Sequence, residues 1–148
     1  MKVVRYTADA SPQWGIEHNS KLHPLSGLPG GPPDLRDLSN PSYRASVRRA
    51  LRDGALPPRP ADGVRRLAPV PQPGQIVCVG LNYHDHAEEQ DEEVPERPLL
   101  FAKSPSAVTN PGDPIVHPAV IDEVDYEVEL GIVIGRTARN VDAADARE

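Results

Sequence analysis

The chain has 148 residues and a formal net charge of −6, and that acidic surplus argues against binding to nucleic acid or an anionic membrane, both of which need clustered positive charge. Its length suits one domain, or a small domain with part of a second; no stretch approaches the roughly 20 apolar residues of a membrane span, and the opening MKVVRYTADASPQWG lacks the long apolar run of a secretory signal. The single cysteine, Cys78, excludes an internal disulfide and has no zinc-ligand spacing around it, which points to a reducing compartment and to a soluble, cytoplasmic protein.

Proline is unusually abundant, at 18 residues, and predicts turns and short strands rather than long helices. In chain order, Val3-Val4-Arg5-Tyr6 reads as a short strand. The run LSGLPGGPPD, Leu25 to Asp34, is turn chemistry; no Gly-Lys-Ser/Thr follows its glycines, so they do not form a phosphate loop. A helix is predicted next, with Asn40 as N-cap, Pro41 at its first position and Gly54 to end it. Tyr43, Val47, Ala50 and Leu51 form one apolar stripe on it. Arg44, Arg48, Arg49 and Arg52 lie largely off that stripe, as a solvated face or, in the alternative, a subunit or intra-chain contact. From Ala55 to Gly74 six prolines predict a stiff, extended connector, which divides a small N-terminal region, residues 1–66, from residues 67–148. No internal repeat is present.

Beyond the connector the texture changes. Gln75 to Gly80 is a nearly continuous apolar run, as in a strand buried on both faces. Asn82 is placed to cap a helical segment from His84 to about Glu93, which Pro95 stops. Leu99 to Ala102 reads as another buried strand, Asn110 to Asp113 as a tight turn, and Val124 to Ile134 as a further strand.

That last segment carries the sharpest chemical signal. Acids and apolar residues alternate in VDYEVEL, so in a strand Asp125, Glu127 and Glu129 share one face. Alternate residues are spaced about 6.6 Å apart, close enough for two carboxylates to converge on one hard cation. The plainer reading is a wet strand face. Against it stand the poor strand propensity of acids and the repulsion among like charges on one face. In the cluster His84 to Glu89, a helix makes His86 and Glu89 neighbours, an arrangement that orients an imidazole for proton transfer, although surface histidines in acidic helices are common. Lys103 follows a strand, where it is either a surface lysine or a cation facing an anionic substrate. Cys78 reads as an inert core residue, and His117 is given no role.

The order of three segments, PGQIVCVGLNYHDHAEE, PLLFAKSPSAVTNPGDPIVHP and VDYEVELGIVIGRTARNV, closely resembles the catalytic domain of the fumarylacetoacetate hydrolase family over about Leu67 to Val141. The resemblance implies an α+β, mostly β fold: a mixed β-sandwich or β-roll, incomplete here, after a small N-terminal α+β region. It further implies a homodimer, Mg²⁺ or Mn²⁺ as cofactor, and a small 2-oxo or dicarboxylic acid as substrate. The expected reaction is hydrolysis of acylpyruvates and related 1,3-diketo acids, with hydroxymuconate-type isomerisation or oxaloacetate decarboxylation as alternatives. By position, Glu127 and Glu129 match the family's metal ligands, His86 and Glu89 its catalytic pair, and Lys103 a segment near the pocket; Asp125 matches no clear ligand. The family's third metal carboxylate, an aspartate, falls beyond Glu148, so the expectation is the front part of a catalytic domain, with an incomplete fragment or half of a split enzyme as the competing reading.

Overall fold

The computed structural model describes residues 1–9, 11–29 and 35–146. Its first sheet begins with β1 (Lys2–Asp9) and β2 (Ser11–His18), paired antiparallel with Val3 opposite Ile16 and Tyr6 opposite Gln13. A two-residue turn at Asn19 and Ser20, with φ of 49° and 58°, reverses the chain into β3 (Lys21–Pro24). Positive φ at both central residues matches the twist of the strands that such a hairpin joins.

The proline-rich stretch is not a spacer held away from the sheet. It supplies β4 (Arg59–Pro60) and β5 (Arg65–Leu67), which complete the strand order β4-β3-β2-β1-β5. Both are edge strands, where proline's missing N–H costs no ladder bond. From the same stretch Leu56 enters the core, and its carbonyl oxygen lies 2.8 Å from His23 Nδ1.

Against one face of this sheet lies α1 (Pro41–Arg52), begun as the sequence predicts: Asn40 Oδ1 accepts from the amides of Ser42 at 2.9 Å and Tyr43 at 3.4 Å. Val47 and Ala50 are buried with Ile16, Leu25 and Leu56, and Trp14, Tyr43 and Leu51 pack around them. Val4, Tyr6 and Leu22 form a second buried cluster with Ala61 and Val64. Gly15 lies against the second cluster, where a Cβ would stand 2.7 Å from Leu22 Cδ1 and 3.1 Å from Tyr6 Cε1. At the sheet's rim Glu17 joins Lys2 Nζ at 2.9 Å and Arg66 Nη2 at 2.6 Å.

In the second half β6 (Ile76–Gly80) pairs antiparallel with β7 (Leu99–Lys103), Cys78 opposite Phe101, and α2 (His84–Glu89) lies in the connection between them. These strands stand where the apolar runs predict, but they are not buried on both faces: Val77, Val79, Leu99, Leu100 and Phe101 are all exposed, and Cys78 is half-buried. A two-stranded sheet has no second layer of its own to cover it. Helix α2 ends at Glu89, short of Glu93, as the chain turns off through Asp91 with φ of 53°.

The turn at Asn110 to Asp113 forms as expected, closed by the Asp113 amide on the Asn110 carbonyl at 3.1 Å. Its side chains knot it to the first sheet: Asn110 Oδ1 accepts from the Ala68 amide at 3.0 Å, Asn110 Nδ2 donates to Asp113 at 2.8 Å, and Arg65 meets Asp113 at 2.6 Å. The expected strand from Val124 to Ile134 does not form. A strand exists through hydrogen bonds to a neighbour, and among the described residues no strand lies beside this one, so Tyr126, Val128 and Leu130 are exposed. The described residues are mostly β with few helices, in keeping with the fold class read from the sequence.

Candidate active site

The candidate residues come from three places: α2, the end of β7, and the irregular segment after it. Residue His86 sits half-buried on α2, and its Nε2 lies 2.7 Å from Gln90 Nε2. The Gln90 amide nitrogen can only donate, so His86 Nε2 accepts in this contact. Glu89, expected as the partner of His86, is exposed on the same helix, and among the described residues no hydrogen bond joins the two.

At the end of β7, Lys103 reaches Glu127, with Nζ 3.5 Å from Oε2 and the two side chains 49% and 50% exposed. A pair that open contributes little stability. Its meaning is electrostatic: one carboxylate of the acidic segment has drawn a cation to itself. Glu129 is held differently, its Oε2 accepting from Asn82 Nδ2 at 3.3 Å. Asn82 therefore does not cap α2 as its position predicts; Tyr83 is the N-cap, without a side-chain cap bond. Asp125 turns back on the backbone, accepting from the Tyr126 amide at 2.8 Å. Farther along, Gly135 passes against Ser39, where a Cβ would stand 2.6 Å from the serine Cβ.

The structure thus brings Lys103 to Glu127 and Asn82 to Glu129, while His86 and Glu89 make no hydrogen bond or ion pair to any of these among the described residues. Nor do the described residues gather three or more His, Cys, Asp or Glu side chains in a group able to hold a metal ion. In kind, Glu127 and Glu129 suit a hard divalent ion such as Mg²⁺ or Mn²⁺, which takes carboxylate oxygens and keeps several waters. In number they are a partial ligand set. Three contacts went unread in the sequence: that of Gln90 with His86 was accessible to reasoning, four residues apart on a helix, whereas Lys103 and Glu127 are 24 residues apart and Asn82 and Glu129 47, and no local pattern links either pair.

Comparison with known proteins gives these residues a context. The family model described as fumarylacetoacetate (FAA) hydrolase C-terminal matches residues 75–148. The mitochondrial oxaloacetate tautomerase FAHD2A of Bos taurus is 48% identical over 100 residues, covering 68% of this chain and 32% of that protein. Fahd2a of Rattus norvegicus, also a mitochondrial oxaloacetate tautomerase, is 35% identical over 159 aligned residues, covering 98% of this chain and 48% of that protein. The crystal structure of maleylpyruvate hydrolase from Sphingobium sp. SYK-6, in complex with manganese(II) and pyruvate, superimposes with a TM-score of 0.58 at 26% identity, over 80% of this chain and 43% of that one. The chain spans from about a third to about a half of the length of these curated relatives. Their mitochondrial location corrects the cytoplasmic expectation. That expectation rested on a lone cysteine, which excludes an internal disulfide but does not choose among compartments where thiols stay reduced. Among the described residues no helix is long and apolar enough to cross a membrane.

Proposed function

The chain belongs to the fumarylacetoacetate hydrolase family, and from that premise we propose that the intact protein enolises a small 2-oxo dicarboxylic acid of the oxaloacetate class. The observation that carries this reading is the 48% identity to an oxaloacetate tautomerase over 100 residues, beside a family-model match whose residues 75–148 bear all the candidate residues. In it residues 67–148 supply the front of the catalytic domain, residues 1–66 a small N-terminal region, and two copies pair as a homodimer.

The roles follow from the chemistry of each side chain. Glu127 and Glu129 would hold Mg²⁺ or Mn²⁺ together with ligands outside this segment. When bound, such an ion supplies Lewis acidity toward the 2-oxo carbonyl. The His86 imidazole, its Nε2 exchanging the Gln90 amide for substrate, takes the proton from the carbon next to the carbonyl and returns it to the enol oxygen or to carbon, so that keto and enol forms interconvert with no net change in protons. Glu89 lies on the same helix, within reach of stabilising the imidazolium that forms in between. Lys103 offers its ammonium to a substrate carboxylate, exchanging Glu127 for it.

A second reading is hydrolysis of an acylpyruvate, in which water attacks the distal carbonyl and the pyruvate enolate leaves. The maleylpyruvate hydrolase likeness favours it, and it is the reaction that the family resemblance implies; the lower identity, 26%, ranks it second. One experiment tests the proposal and separates the readings. With Mn²⁺ present, oxaloacetate and an acylpyruvate are each followed by NMR for the wild type, His86→Ala and Glu127→Ala. Loss of a general acid–base group predicts a fall of about 10²- to 10⁴-fold in His86→Ala. Rates in both variants equal to wild type would remove these assignments.

A further inference from the structure

We propose that Asn82 is a positioning residue, whose amide holds the Glu129 carboxylate in the orientation in which it meets a divalent cation. The inference rests on the preceding assignment of Glu129 as a ligand and adds a residue to it. Its starting point is the failure of a local rule. Asparagine just before a short helix belongs in the cap, where its side chain satisfies a free amide. Here the N-cap is Tyr83, with no side-chain cap bond, and Asn82 donates through Nδ2 to Glu129 Oε2 at 3.3 Å, 47 residues away.

The backbone just before Asn82 is also unusual. Leu81, between β6 and α2, has φ of 49°, in the left-handed region that bulky side chains avoid. Strain of this kind persists where surrounding contacts require it.

The acidic segment needs an external hold. Residues 124–130 carry no strand pairing, and Val124, Tyr126, Val128 and Leu130 are all exposed, so nothing in the local backbone fixes where Glu129 points. A neutral amide suits the task better than a lysine would. Lys103 beside Glu127 cancels that carboxylate's charge and must be displaced by a competing cation. Asn82 occupies one oxygen of Glu129 with an uncharged donor, which leaves the full negative charge and the second oxygen, Oε1, available.

The test is Mn²⁺ binding by titration calorimetry on the intact protein that supplies the remaining ligands, with thermal unfolding measured in parallel, for wild type, Asn82→Leu, Asn82→Gln and Glu129→Gln. Asn82→Leu keeps the size of the side chain and removes the donor; the expected result is a loss of Mn²⁺ affinity of about 10- to 100-fold, the usual effect of removing a group that orients a metal ligand, with an unchanged unfolding midpoint. Asn82→Gln restores an amide and should recover most of the affinity. If Asn82→Leu binds like wild type while Glu129→Gln does not, the role of Asn82 is refuted and that of Glu129 stands. If Glu129→Gln also binds like wild type, or the wild type takes up no Mn²⁺, the ligand assignment itself fails and this inference with it. Equal weakening in Asn82→Leu and Asn82→Gln, accompanied by a lowered unfolding midpoint, would reduce Asn82 to a structural residue.

Discussion

Replacement of Leu56 by alanine is the sharpest test of how the proline-rich stretch is built into the first sheet. Leu56 is 1% exposed and sits among Ile16, Leu25, Val47 and Ala50. Truncation removes three buried carbons, a transfer loss of about 2.4 kcal/mol at roughly 0.8 kcal/mol per methylene. The cavity left behind raises the cost to about 3–4 kcal/mol. Against a total stability of about 5–15 kcal/mol, that is a large fraction. The only tryptophan, Trp14, packs against this core and reports its unfolding by fluorescence. With an m-value of about 1–3 kcal/mol per molar urea, the midpoint should fall by roughly 1–4 M. Leu100→Ala is the control: Leu100 is 62% exposed on β7, and its truncation should stay within about 0.5 kcal/mol of wild type. Equal midpoint shifts in the two variants would refute the packing, because a free connector would make Leu56 no more costly to truncate than a surface leucine.

Two further expectations concern polar contacts. Hydrogen bonds from Lys2 and then Arg66 hold the Glu17 carboxyl below its ordinary value of 4.5. A folded pKa below the unfolded one means the contribution is complete above the unfolded value and is lost as pH falls through the folded one. An acid titration followed by Trp14 fluorescence should therefore show a shallower loss of stability below about pH 4.5 in Glu17→Gln than in wild type, and superimposable curves would show that the triad carries no linkage. Asn110→Ala deprives the Ala68 amide of its acceptor; at about 1–3 kcal/mol for an unsatisfied donor, that amide should exchange with solvent about 5- to 150-fold faster, and unchanged exchange would count against the knot between the turn and β5.

What could be read from the sequence divides along the range of the forces involved. Helix α1 was legible because its signals are all local: a capping Asn40, Pro41 at the first position, a stripe through Tyr43, Val47, Ala50 and Leu51, and Gly54 at φ 69° to end it. The runs that became β6 and β7 were visible for the same reason. Strand β2, SPQWGIEH, was not: it contains a proline and a glycine, and its extended state comes from pairing with β1. The hairpin turn that follows uses Asn-Ser in place of the more recognisable Asn-Gly. At the candidate site, residue types and periodicity put Asp125, Glu127 and Glu129 on one face, and the family resemblance singled out Glu127 and Glu129. They could not give the contacts from Lys103, 24 residues away, or Asn82, which depend on how distant segments meet.

The uneven distribution of the core has its own consequence. Beyond Ala68 the only buried hydrophobic residue among those described is Ala87, so the segments that carry the candidate chemistry are the least self-supporting in the chain. In the proposed reading, a cation meeting Glu127 and Glu129 in this chain alone would do two things at once, making its contacts and fixing a backbone that pairs with no strand among the described residues. Its observed affinity equals the intrinsic affinity multiplied by the fraction of chains already in the receptive arrangement. Whatever steadies residues 124–134 therefore tightens binding there without touching the ligand.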